Sequence, residues 1–342
     1  MKASTISIGL VVVVSAAAAG LMVFPPRSLA PPPADGPLRA SLRLNGPFDP
    51  SHAGEMVAAR AGLFTREGLQ IELEAGDGDS DPIALVAGGT DTIGVVGADR
   101  LLLARSKNVP VVAFAAAYVE SPVVLYSLDR SGIRTPNDFV GKRVGYQAGQ
   151  DTALIYDALM VKLQFPLSTV RKVPVGADFS PLVDGNVDVW PGHIASESYA
   201  LVQRGIAYNS ISPASYGVHV PGTVYFALEK TVQDNPRLIR QFLQGVIGGW
   251  VMTYSDYAKS LPIIASFDTA TLTPDLIRFK LDQQREFLRP LGARFAEFDR
   301  TRWQSLQDIL LQQKQLKESL DLSKAVNFEF LRDVYQHRGL TQ

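Results

Sequence analysis

From residue 38 onward, apolar positions recur with two periods, and each change of period marks a new element. Leu38 to Leu44 (LRASLRL) alternates apolar and polar, which predicts a strand with one buried face. His52 to Phe64 (HAGEMVAARAGLF) predicts a helix, with Gly62 near its end. Leu69 to Leu73 reads as a second strand, Asp81 to Val86 as a short helix, Thr92 to Val96 as a third strand and Ala98 to Arg105 as a helix. Val111 to Ala116 is an unbroken apolar run, as in a strand buried on both faces. This β-α-β-α-β rhythm predicts a largely parallel sheet with helices on its faces.

Pro122 to Ser127 reads as another strand, and the pattern then restarts. Thr135 to Phe139 reads as a short helix, Arg143 to Tyr146 as a strand and Asp151 to Gln164 as a helix. Strands follow at Arg171 to Val175 and Val187 to Trp190, with helices at Phe179 to Asp184 and Ser196 to Arg204. Short strands at Asn209 to Ile211 and Thr223 to Ala227 come next. After them, helices dominate. Asn235-Pro236 and Thr273-Pro274-Asp275 each place a cap before a proline at the first helical position, opening helices to about Tyr254 and Leu288. Arg300 to Gln315 and Phe328 to Tyr335 read as further helices. A smaller α/β unit enclosed between an α/β start and a helical end implies two lobes. Residues 38–128 form the first part of lobe one, 129–216 lobe two, and 217–342 the return to lobe one with extra C-terminal helices. A ligand in such a fold sits where the strand ends of the two lobes face each other.

The N-terminus adds a destination. One Lys precedes an uncharged run from Ala3 to Phe24, so residues 1–30 read as an export signal. Ser28-Leu29-Ala30 and Ala17-Ala18-Ala19 offer cleavage sites, and the run is long enough to span a bilayer as a retained anchor. Residues 31–37 form a Pro-rich spacer. The expected location is periplasmic or extracytoplasmic. Composition then removes several classes. The 342 residues are 46% hydrophobic and 20% charged, with a net charge of −1, which describes a globular chain with no basic stripe for nucleic acid. Cysteine is absent, so disulfides, thiolate metal sites and a cysteine nucleophile are excluded together. The four histidines show no metal-ligand spacing, and neither a metal nor a cofactor is expected.

Candidate binding residues follow from the strand ends. Val86 to Arg105 (VAGGTDTIGVVGADRLLLAR) has glycines beside a helix start, but it lacks the Lys of a P-loop and the G-x-G-x-x-G spacing. It reads as a turn, a buried strand and a loop presenting Asp99, which serves as a helix cap or as a ligand contact. Asn45 ends the first strand, and His52 starts the first helix. Tyr118 lies in the first crossover, offering a stacking face or plain packing. Gln147 and Asp151 lie in a Gly loop opening a helix, where free N–H groups suit an anion. The charge of Asp151 turns that end toward a neutral or cationic polar ligand. Trp190 is read as core or as a ligand platform, Glu197 as a first-turn carboxylate within reach of a ligand, and Tyr216 as a residue able to close over one. No G-x-S-x-G elbow or Ser-His-Asp order is present, and the chain is expected not to be an enzyme.

Five blocks then carry a family resemblance: HAGEMVAARAGLFTREGLQIEL, LVAGGTDTIGVVGADRLLLARSKNVPVVAFAA, SPVVLYSLDRSGIRTPNDFVGKRVGY, VDGNVDVWPGHIASESYALVQRGI and PASYGVHVPGTVYFALEKTVQDNPRLIRQFLQGVIGGW. In order and spacing they resemble periplasmic solute-binding proteins of ABC importers, in the branch of thiamine-pyrimidine-precursor, nitrate, sulfonate and taurine binders. The resemblance covers about Leu38 to Tyr254. It implies a two-lobed type II periplasmic binding protein fold with mixed sheets flanked by helices. It also implies hinge closure on a small polar solute, a membrane permease as partner and a monomeric chain. Where the thiamine-precursor branch has Trp after its first strand, this chain reads LNGPF, with Phe48 as the nearby aromatic. Glu197 matches the branch's glutamate after the lobe-two strand and supports a heterocyclic or amine-bearing ligand. Nitrate, sulfonate or taurine binding, and a membrane-anchored sensory module, are the alternatives. Fungal pyrimidine synthases of this fold carry a cysteine-rich motif that this chain lacks.

Overall fold

The alternation at the start of the folded body buries Ala40 and Leu42 and leaves Arg39 exposed, so the first strand has one face on a core. A computed structural model describes residues 36–77 and 80–338. The export segment at 1–30 and most of the spacer at 31–37 lie outside the described residues. Among the described residues no helix is long and apolar enough to cross a membrane. Among the described residues the strands are β1 (Leu38–Arg43), β2 (Leu69–Glu74), β3 (Ile93–Gly97), β4 (Val111–Ala116), β5 (Val123–Leu128), β6 (Arg143–Tyr146), β7 (Arg171–Pro174), β8 (Trp190–His193), β9 (Tyr208–Ile211) and β10 (Thr223–Leu228).

The first sheet has the order β2-β1-β3-β10-β4. β1 runs parallel to β2 and β3, while β10 lies antiparallel to both β3 and β4. The sheet is therefore mixed where the β-α rhythm predicts a largely parallel one. The reason is the return of the chain: β10 comes back beside β4, the strand by which the chain left. Helices cover this sheet. In Pro236–Ser255, Ile239, Phe242, Leu243, Val246, Ile247 and Trp250 are all buried at helical spacing. This helix packs on Ala53–Arg60. The run predicted as one helix from His52 to Phe64 is two, Ala53–Arg60 and Leu63–Arg66. Gly62 separates them at φ +69°, a left-handed conformation that glycine adopts without a Cβ penalty.

The second sheet has the order β8-β5-β9, all antiparallel. Val123–Leu128, grouped by sequence with the first part of the chain, pairs here instead. The strand predicted at Val187 to Trp190 runs from Trp190 to His193. Pro191 is tolerated in it because β8 is an edge of this sheet. A parallel pair, β6 with β7, joins through a bridge from Val144 to Val189.

Two crossing segments connect the sheets and bond to each other. The Gly222 N–H donates to Tyr118 O (3.0 Å), and the Ser121 N–H donates to Val220 O (2.9 Å). Position 222 must be glycine for this approach, because a Cβ there would stand 2.8 Å from Tyr118 Cβ. Glu120 fastens the crossing: its carboxylate accepts from the Val220 N–H (3.1 Å), pairs with His219 Nδ1 (3.0 Å) and meets Arg302.

Candidate ligand-binding cleft

Where β1 and β3 end on one side and β6 and β8 end on the other, the chain encloses a cleft of about 460 Å³. Strand ends are where open α/β sheets place ligands, and this volume suits a small molecule. Asn45 to Pro47 follow β1, Gly97 ends β3 and Asp99 follows it, Gly149 to Asp151 follow β6, and His193 ends β8 with Ile194 to Ser196 after it. The crossing segments supply the floor through Tyr118, Ser121, Pro122 and Val220 to Thr223.

On the first-sheet side, His52 precedes the helix Ala53–Arg60 and is 4% exposed. Glu55, one turn on, is shut off from water completely. The Trp250 Nε1–H donates to Tyr225 Oη (3.4 Å), and the Tyr225 hydroxyl donates to Glu55 Oε1 (2.7 Å). The Tyr118 hydroxyl donates to Gln284 Oε1 (2.7 Å), whose amide donates to Pro50 O (2.7 Å). Asp49 caps the Ser51 N–H (3.0 Å) and binds Lys280 Nζ (2.7 Å). Burial pushes its carboxyl up, and the Lys280 charge and hydrogen bond outweigh that, leaving it below the ordinary range.

On the opposite side, Asp151 opens the helix Asp151–Lys162 and accepts at 2.9 Å from His193 Nε2. Enclosure alone would push His193 down. The Asp151 charge and hydrogen bond more than reverse that, and the ring is pushed up to about 9. Enclosure pushes Asp151 up, and the His193 charge outweighs it, holding the carboxyl below its usual value. Asp99 has no such partner. Burial pushes it up, the Asp151 carboxylate adds to the shift, and it titrates at about 6. Among the described residues no three His, Asp or Glu side chains are grouped as a metal site would require.

Asn45, His52, Asp99, Tyr118 and Asp151 of the sequence-predicted site residues line the cleft. The other candidates do not, each for a packing reason. Phe48 packs its ring on Phe267 (4.9 Å between centroids). Gln147 donates to Gly176 O, in the loop after β7, and accepts from the Thr152 hydroxyl (3.3 Å), so its amide is spent on protein partners. Trp190 is fully buried, as core rather than platform. Glu197 stands behind the cleft, accepting from the Trp190 Nε1–H (3.3 Å) and the His193 N–H (3.0 Å). Tyr216 is half-buried against a hydrophobic cluster that includes Ile155, Leu159 and Val218. Sequence reasoning missed Asp49 and His193 as cleft residues. Asp49-Pro50 was legible as a cap before a first-position proline. Nothing local points to His193, whose partner lies 42 residues away.

These features define the periplasmic binding protein fold. The periplasmic aliphatic sulphonate binding protein SsuA from Escherichia coli superposes with a TM-score of 0.69 at 17% identity, over 85% of this chain and 92% of that one. The model of the NMT1/THI5-like family matches residues 49–258, more than half of the chain, and the chain belongs to that family. The formylaminopyrimidine-binding protein of Halalkalibacterium halodurans is 27% identical over 217 residues, 61% of this chain and 65% of that protein, just under two thirds of its length. The 4-amino-5-hydroxymethyl-2-methylpyrimidine phosphate synthase of Legionella pneumophila is 24% identical over 240 residues, 69% of this chain and 76% of that protein. The synthase corrects one expectation. Missing cysteines do not mark this chain as a non-enzyme when a named synthase is about as similar to it as a named binding protein. Lacking cysteine removes one nucleophile and leaves histidine and carboxylate chemistry, which the cleft holds.

Proposed function

We propose that the chain is the extracytoplasmic solute-binding subunit of an ABC importer, and that its cleft takes a small nitrogen heterocycle of the thiamine pyrimidine precursor kind. The observation that carries this reading is the acceptor-rich lining. The carboxylates of Asp49, Asp99 and Asp151 border one cleft, and Asp99 is pushed up to about 6 by burial and by Asp151. Asp49 is paired with Lys280 and Asp151 with His193, so Asp99 is the carboxylate that favours a neutral or cationic ligand with N–H donors over nitrate or a sulfonate. The proposed contacts are Asn45, His52, Asp99, Tyr118 and Asp151. Closure would turn about the crossing segments, with contacts from both sides stabilising the closed state over the open one. Residues 1–30 would direct export, and a membrane permease would receive the closed monomer.

Calorimetry and small-angle scattering with 4-amino-5-hydroxymethyl-2-methylpyrimidine, taurine and nitrate test the proposal. The expected result is binding of the pyrimidine with compaction of the protein. Binding of taurine or nitrate in its place, or no compaction with any of the three, sinks it. The synthase relative supports turnover as a second reading. Mass spectrometry separates the two: a synthase forms pyrimidine phosphate that was not supplied, whereas a binding protein releases only the pyrimidine added.

A further inference from the structure

Two buried polar atoms on the first-sheet side of the cleft have no hydrogen-bond partner, and they belong to neighbouring side chains. They are His52 Nδ1 and Glu55 Oε2. His52 Nδ1 stands 3.6 Å from Glu55 Oε1, just beyond hydrogen-bond distance. Burying a carboxylate with a single donor is costly, as is burying an imidazole nitrogen with none. A small rotation brings His52 Nδ1 within hydrogen-bond distance of the Glu55 carboxylate. The direction of that bond follows from the chain behind it. Tyr225 accepts from Trp250, so its own proton points to Glu55, and Glu55 is the acceptor at the end of the relay. Glu55 also lies in the first turn of its helix, at the positive end of the helix dipole. Tyr118 does not compete, because its proton is committed to Gln284.

We infer that Glu55 is a positioning residue that holds the proton of His52 on Nδ1 and so presents Nε2 to the cleft as a bare acceptor. The ligand group that docks on this wall is then an N–H or O–H donor, and a carbonyl, nitro or sulfonate oxygen is rejected there. Sequence spacing alone brings the pair together: residues three apart share one face of a helix start. The ligand half of this inference rests on the cleft being a solute site. The tautomer half does not, because it is a property of the empty protein.

The test is ¹⁵N NMR of the full exported chain without ligand at pH 7.5, with the His52 ring assigned through bonds to its own backbone. A pyridine-type Nε2 and a pyrrole-type Nδ1 are expected. A protonated Nε2, in the neutral ring or in the cation, overturns the inference. Glu55→Gln supplies the second readout. The Gln carbonyl must still accept from Tyr225, so its NH₂ faces His52 Nδ1 and the ring proton moves to Nε2. The expected result is a reversed tautomer and a roughly three- to tenfold weaker affinity for 4-amino-5-hydroxymethyl-2-methylpyrimidine. An unchanged tautomer in the folded variant assigns Glu55 a merely structural role and overturns the inference. Should Glu55→Gln not fold, the wild-type spectrum decides alone. A correct tautomer with no pyrimidine binding sinks the solute reading and leaves the positioning role standing.

Discussion

His193 and Asp151 meet at 2.9 Å with about two fifths of each side chain exposed (42% and 40%), whereas His52 and Glu55 stand 3.6 Å apart with at most 6% of either side chain in contact with water. Both pairs border the same cleft. In the first, the Asp151 charge and hydrogen bond outweigh the cost of enclosure, and the pair settles as an ion pair with His193 pushed up to about 9. In the second, burial makes every unshared polar atom expensive, so the position of one proton matters more than net charge. Facing one cavity does not give two histidines one chemistry; the partner and the enclosure of each decide.

The largest expected effect comes from removing the packing behind the exposed pair. Trp190→Ala opens a hole beneath His193 and removes the donor to Glu197, the carboxylate that holds the His193 N–H. A loss of about 3–5 kcal/mol in denaturant unfolding is expected for a buried Trp. A loss below about 1 kcal/mol would mean that Trp190 belongs to the ligand after all. A smaller effect, of opposite sign, is expected at Asp99. Its carboxyl titrates at about 6 in the folded chain against an ordinary 3.8, so folding is favoured at low pH and this contribution fades as pH rises through 6. Asp99→Asn should remove that dependence and raise stability at pH 7 by on the order of 1 kcal/mol. Thermal melts from pH 4 to 8 check it, and an unchanged slope would mean that burial and the Asp151 charge do not raise Asp99.

The smallest effect on stability sharpens the contrast most. In Asp151→Asn, enclosure acts on His193 with little opposition, and NMR titration should find the ring falling from about 9 to its ordinary 6.5 or lower. Retention near 9 would shift the cause to Glu197. In the wild type, the raised His193 contributes stability fully below about 6.5, and the contribution is lost as pH rises through about 9. Asp151, held low, contributes above its ordinary 3.8 and loses this as pH falls. The exposed pair is thus worth most between these values, and solvent screening keeps it modest.

How much of this was legible depended on distance along the chain. His52 and Glu55 lie three residues apart at a helix start, and the helix period brings them together. Asp151 was legible as a helix-opening carboxylate, but its partner His193 was not. Trp190 and Glu197 read from sequence as residues flanking one strand end, and which side chains near it face the cavity depends on the course of β8. The strand runs from Trp190 to His193, so Trp190 turns into the core and His193 reaches the cleft.

Sequence by itself determined most of the strands, the helix starts at Pro236 and Pro274 and the family. These are matters of local period and capping, written in neighbouring residues. Only the tertiary structure decided that β10 enters the first sheet antiparallel, that β5 belongs to the second, that Phe48 and Tyr216 pack away from the cleft, and that Asp151 finds His193. Those outcomes depend on which distant surfaces exclude water from each other, and that burial exists only once the chain has crossed between its sheets and returned.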